Sequence, residues 1–186
     1  MALSADYLLG LSASRLAGVS ADEISALTAS QIPLIQDSSF AGLTTGQVRA
    51  LSASAVKALT GDQLAAMTPT TLQALPDGSF VLLSPVQLAA MTNAQVANLG
   101  MSQVQSLTAT TIKSLIPDQI ASLQTAKLAG ITPTVINGLT LDQFQALTTN
   151  QIVALTTAQV QGFNKANVLA LTPDQIAALE TVDAAS

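Results

Sequence analysis

Large apolar residues recur at every eighth position of this chain of 186 residues, without an insertion or a deletion. One column begins at Leu3 and continues through Leu11 and Val19 to the end of the chain, and a second begins at Leu8 and ends at Ile176. Every position of both columns holds Leu, Ile, Val, Met or Phe. A short, uninterrupted period of this kind predicts a solenoid, here of about 23 eight-residue repeats.

The period of eight excludes a single continuous helix. Eight residues advance an α-helix by two turns plus roughly 80°, so the apolar columns would wind around its surface and form no face. A coiled coil needs an apolar step of about 3.5 or 3.67 residues, which this sequence does not have. The chain must therefore change direction once in every repeat.

The repeat unit reads Leu-Thr-x-x-Gln-Ile-x-Ala and is clearest at residues 171–178. Ser or Thr followed three residues later by Gln is a capping box, in which the two side chains bond to the backbone of the first helical turn. The residue before each Leu is mostly Ala or Gly, which lets neighbouring helices approach closely. Proline is favoured at the first position of a helix because its φ angle is already helical. Five prolines directly follow the cap position: Pro69, Pro85, Pro117, Pro133 and Pro173.

These signals predict an all-α fold in which each repeat is a capped helix of five or six residues followed by a tight turn. A β-solenoid is the alternative, because short β coils also tolerate exact periods. The prolines argue against it, since each would remove a donor from a β ladder. The high content of Ala, Leu and Gln also favours helix.

Two repeats depart from the pattern in the same way. Gln36-Asp-Ser-Ser-Phe40 and Pro76-Asp-Gly-Ser-Phe80 lie five repeats apart and lack the cap hydroxyl. Asp37 and Asp77 are candidates for Asx-turns in place of the cap. These irregular segments, near 36–40 and 76–80, are predicted to be alternative turns, with ligand loops as the other interpretation. We expect the whole of residues 1–186 to form one solenoid.

The composition restricts the possible functions. The chain has no His and no Cys, and its acidic residues are spread along the repeats, so we expect no catalytic site, no cofactor and no metal site. The net charge is -5 and the six basic residues are scattered, which argues against nucleic-acid binding. No apolar run is long enough for a membrane span, and no signal peptide is visible.

Residues 147–160, Leu-Thr-Thr-Asn-Gln-Ile-Val-Ala-Leu-Thr-Thr-Ala-Gln-Val, resemble the repeat regions of large secreted or surface proteins of proteobacteria. The resemblance extends over essentially the whole chain. It implies an extracellular or cell-surface setting and a role as a spacer, an adhesin stalk or a fibre subunit.

We therefore expect a structural repeat protein that acts by shape and by repeated contacts. Its partner would be a second copy of itself, in an oligomer or filament, or an extracellular surface. The alternative is a surface-binding module that uses the neutral Thr, Ser and Gln side chains against ice or a glycan. The number of repeats in one turn of the solenoid stays open at this point.

Overall fold

The structure is a computed structural model that describes residues 3–76 and 78–183. Short helices follow one another, one in almost every repeat, joined by turns of two to four residues in most places. The α-helices are α1 Ala5–Leu9, α2 Ala13–Ala17, α3 Ala21–Ser25, α4 Thr45–Ala50, α5 Ala53–Ala58, α6 Gly61–Ala66, α7 Pro69–Gln73, α8 Pro85–Ala90, α9 Asn93–Ala97, α10 Met101–Gln105, α11 Pro117–Ser122, α12 Thr125–Leu128, α13 Pro133–Ile136, α14 Leu141–Gln145, α15 Thr149–Val153, α16 Thr157–Gln161, α17 Lys165–Ala170 and α18 Pro173–Asp183.

The all-α solenoid prediction is confirmed. Within the described residues there is no β-strand, so the β-solenoid alternative is not supported. Contacts divide the chain into two compact units, Met1–Leu99 (unit 1) and Gly100–Ser186 (unit 2). Each unit has the same internal construction, and the single solenoid over residues 1–186 stays a prediction.

Helices that lie three repeats apart in the sequence pack against each other. In unit 1, α4 packs on α3 and α7 packs on α4, and these helices begin three repeats apart, at Ala21, Thr45 and Pro69. In unit 2, α14 packs on α11 and α17 packs on α14, again with starts that are three repeats apart. Because each helix packs on the helix three octapeptides before it, one coil of the solenoid contains three repeats. Consecutive repeats therefore lie on three different sides of the coil.

The predicted Ser and Thr caps place the start of most of the α-helices. In α15, the Thr148 hydroxyl accepts a hydrogen bond from the Gln151 N–H, and the Gln151 side chain accepts one from the Thr148 N–H. The five prolines that follow cap positions are all the first residues of α-helices, as predicted. Helices of about six residues are marginal in isolation, so the packing of coil on coil must supply most of their stability.

The two apolar columns form the interior of the coils. Phe144 of the second column and Phe163 of the first meet edge to face, with ring centroids 5.1 Å apart. Val168 and Ile176 of the second column are exceptions, since their side chains are 51% and 44% exposed. Residues of the second column are covered by the next coil, and no described coil lies over these two. Ile152, one coil earlier, is covered by α18 and fully buried.

In place of the usual α-helix, the first irregular segment forms the 3-10 helix Asp37–Gly42, and the described residues of the second run through a turn at 78–79 into the 3-10 helix Phe80–Leu82. Asp37 does not act as the predicted Asx cap, because its carboxylate accepts a hydrogen bond from the Thr60 hydroxyl, three repeats further on. Asp77 lies outside the described residues. Gly78 next to it has a φ of 81°, a conformation that a residue with a side chain rarely adopts. The 3-10 helices span Ile32–Leu34, Asp37–Gly42, Phe80–Leu82 and Ile112–Ser114.

The column of small residues lies where helices of adjacent coils cross. The eighth residue of a repeat lies over the third residue of the repeat that comes three repeats earlier in the chain. A Cβ atom on Gly42 would come within 2.0 Å of the Ala13 carbonyl oxygen, and one on Gly138 within 2.6 Å of the Ala109 Cα. Because the obstructing atoms belong to backbone or to short side chains, a larger residue at these crossings would force the coils apart.

Candidate functional site

The most regular arrangement of polar groups is a row of buried glutamines between coils, which we call the glutamine ladder. It consists of the Gln residues at the fifth position of the repeats. Gln151 is representative and only 1% exposed. Its Nε2 donates to the carbonyl oxygens of Ile120 at 2.9 Å and Leu123 at 2.7 Å, both in the preceding coil. Its Oε1 accepts from the Thr148 N–H at 2.9 Å. One side chain thus caps its own helix and ties it to the coil before.

The same geometry recurs in both units. Gln63, in unit 1, donates to the carbonyl oxygens of Ile32 and Ile35, while its Oε1 accepts from the Thr60 N–H. The two acceptors hold the same places in the preceding coil as Ile120 and Leu123 do for Gln151. Further members with this pattern are Gln47, Gln87, Gln95, Gln143, Gln159 and Gln175.

The glutamine ladder matters energetically because its groups are buried. A buried polar group without a partner costs about 1–3 kcal/mol, whereas one that is satisfied contributes modestly to stability. Among the described residues, no buried side-chain nitrogen or oxygen lacks a hydrogen-bond partner. In the part of the chain that the structure describes, the buried polar side chains therefore all have partners, and the glutamines among them connect neighbouring coils.

The repeat sequence predicts only half of this role. The capping box explains the side-chain oxygen of each Gln, but nothing within one repeat shows where the amide nitrogen points. The first three repeats hold Tyr7, Arg15 and Glu23 at this position, and no described coil precedes them. Later repeats that do follow a coil also lack glutamine there, as at Ala55 and Val135, so the sequence carries no clear signal of the contact.

The outer surface is neutral and rich in hydroxyl groups. Cap residues that are three repeats apart lie on the same side of a unit, and in unit 1 they form the row Ser20, Thr44, Thr68 and Thr92. All four side chains are exposed. Each hydroxyl oxygen also accepts a hydrogen bond from the backbone of its own helix, as for Thr44 and the Gln47 N–H at 3.3 Å.

No concentration of reactive groups stands out on this surface. The described residues contain no group of three or more His, Cys, Asp or Glu side chains that could hold a metal ion. A shallow groove in unit 1 is lined by Arg49, Gln73 and residues 74–76, with one charged side chain. None of the described helices is both long and apolar enough to cross a membrane.

Short helices stacked in three-repeat coils and joined by buried glutamines define an α-solenoid repeat protein. The chain belongs to the ALTTAQ repeat family, whose pattern matches residues 40–76, 120–157 and 153–181, more than half of the chain. The recognition of a repeat family from the octapeptide unit is thereby confirmed. A comparison with curated proteins finds no match to this chain.

Proposed function

We propose that this chain is a structural scaffold or stalk segment, set outside the cell or at its surface, which acts by shape and carries out no reaction. The glutamine ladder is the observation that carries this proposal. Within each of the two units, it ties one coil to the coil before by hydrogen bonds across the coil boundary. The resemblance to repeat regions of secreted and surface proteins supports the extracellular setting. A fibre subunit is a second form that the same architecture would suit.

A scaffold made of coils should resist force in a characteristic way. When single molecules are stretched from their two ends, we expect the length to increase in steps of one coil, because each coil is held as a unit by its ladder contacts. One coil of three octapeptides corresponds to about 80 Å of extended chain. Force spectroscopy measures these steps. Smooth extension at low force, without steps, would contradict a load-bearing role.

A surface-binding module is the second candidate, and the exposed row of hydroxyl residues in unit 1 favours it. Its four members repeat at the coil spacing, which is about 8–10 Å for packed helices. Many copies of one weak contact add up to avidity when the target is itself repetitive, as ice and glycans are. The row is short, however, and its hydroxyl groups already serve as caps.

Replacing Thr44, Thr68 and Thr92 by Ser separates the two candidates. Serine keeps the cap oxygen, so we expect the fold and the melting temperature to change little. It removes the three methyl groups that a flat binding surface would use. If the chain is a scaffold, neither protein inhibits ice recrystallisation or binds a glycan array. Activity of the unsubstituted chain that falls in the triple variant would favour the binding module.

A further inference from the structure

The fifth position of each repeat faces the preceding coil. Gln47 shows the rule in unit 1, where its Nε2 donates to the carbonyl oxygens of Leu16 and Val19 in the first coil. Gln31, in the first repeat of the second coil, reaches back in the same way to the Leu3 carbonyl. In the coils that stack on a preceding one, up to residue 178, this position holds an uncharged side chain in every repeat except that of Lys127, and an amide donor is the commonest choice.

The first coil, residues 3–26, has no amide side chain at this position in any of its three repeats. Its fifth positions hold Tyr7, Arg15 and Glu23, and all three side chains reach solvent. The Arg15 guanidinium lies over the Tyr7 ring, 5.6 Å from its centroid. The Glu23 carboxylate accepts hydrogen bonds from the hydroxyl and the N–H of Ser20, and these bonds lower its pKa. A carboxylate that stays ionised at neutral pH is costly to bury without a cation.

The last described coil presents the opposite surface. Val168 and Ile176 of the second apolar column are half exposed, although the corresponding residues of earlier coils are buried. By the spacing of the ladder contacts, the carbonyl oxygens of Val168 and Leu171 are the ones that an arriving glutamine amide would reach. This end face thus has the apolar side chains and the acceptors that every earlier coil offers to its successor.

We propose that Tyr7, Arg15 and Glu23 form a stop that prevents the first coil of one copy from stacking on the last coil of another. The occupant that the last coil fits is an octapeptide coil with glutamine at its fifth positions, because that is the contact used throughout both units. The unsubstituted first coil would instead bring Glu23 against carbonyl oxygens and bury the Arg15 charge. This inference goes beyond the scaffold role and does not depend on it.

The test is to give the first coil the missing glutamines. The variant Tyr7→Gln/Arg15→Gln/Glu23→Gln carries at these exposed positions the residue type that other coils use, so it should fold, as circular dichroism and a melting curve will show. We expect sedimentation equilibrium to find the unsubstituted chain as a single copy over a concentration series. The triple variant should form chains of copies whose mean mass rises with concentration.

Two controls identify the contact. Adding Val168→Asp and Ile176→Asp to the triple variant should return it to the mass of one copy, because it places charges on the apolar end face. A matched triple variant, Asp6→Gln/Ser14→Gln/Asp22→Gln, changes the neighbouring exposed positions and should stay a single copy.

A folded Tyr7/Arg15/Glu23 variant that remains a single copy at the highest concentration would overturn the proposal. So would unsubstituted chains that already associate and are separated by Val168→Asp, since the stop would then not block stacking. Association of the Asp6/Ser14/Asp22 control to the same extent would also overturn it, because association would then not depend on the residues at the fifth positions.

Discussion

Deleting residues 131–154, one whole coil, should leave a folded chain with a cooperative melt, whereas deleting residues 147–150 should abolish folding beyond the deletion. After removal of a whole coil, every later helix still packs on the helix that lies on the same side of the preceding coil. Gly162 then takes the place of Gly138 over Ala109, a crossing that tolerates only glycine. Circular dichroism measures the helix content that each variant retains, and thermal melts measure its cooperativity.

The four-residue deletion fails for a physical reason that can be estimated. It shifts both apolar columns half a repeat out of register, so that Ile152, Leu155 and the later column residues leave the interior. Each buried Leu or Ile side chain contributes about 1.5–3 kcal/mol. Four or five such losses together are comparable to the whole free energy of unfolding of a typical protein, which is roughly 5–15 kcal/mol.

Deletion of one octapeptide, residues 147–154, provides the intermediate case. Both columns stay in register, and so the fold is retained, but every later repeat moves to the next side of the coil. Ala170 then replaces Gly162 at a crossing where even a Cβ atom lies 3.1 Å from Pro133. We expect a melting temperature between those of the other two deletions. Equal melting temperatures for all three variants would contradict the solenoid.

Replacing Gln151 by Ala should destabilise unit 2 by roughly 3 kcal/mol, because the Thr148 N–H and the Leu123 carbonyl lose their partner inside the protein and the Ile120 carbonyl keeps only the Leu123 N–H. Gln145→Ala is the matched control. The Gln145 side chain is exposed on the outer surface, and we expect a change within about 0.5 kcal/mol. Urea denaturation of the two variants and the unsubstituted chain gives the free energies of unfolding.

A second substitution separates the two roles of Gln151. Glutamate keeps an oxygen that can accept from the Thr148 N–H, so a pure capping role would leave Gln151→Glu as stable as the unsubstituted chain. Because the side chain also donates across the coil boundary, the glutamate would instead turn a charge towards the carbonyl oxygens of Ile120 and Leu123. We therefore expect Gln151→Glu to be less stable than Gln151→Ala at neutral pH.

Local features of the fold were predictable from local sequence. The hydroxyl of Thr148 and the Oε1 of Gln151 bond within one helical turn, and Pro133 or Pro173 begins a helix wherever it follows a cap position. These effects need only residues that are close together in the chain. The exposure of Val168 and the solvent-facing pair of Tyr7 and Arg15 were not predictable in this way, because they depend on which coil lies next to them.

The sequence by itself determined where the chain turns, that the two apolar columns line the interior and that most repeats are capped helices, since all of these follow from an eight-residue period and capping chemistry. Only the tertiary structure decided that three repeats make one coil. The period states how often the chain turns but not the angle of each turn. That angle is set by groups three to four repeats apart, such as Gly138 against Ala109 and Gln151 against Ile120, when one coil packs on another.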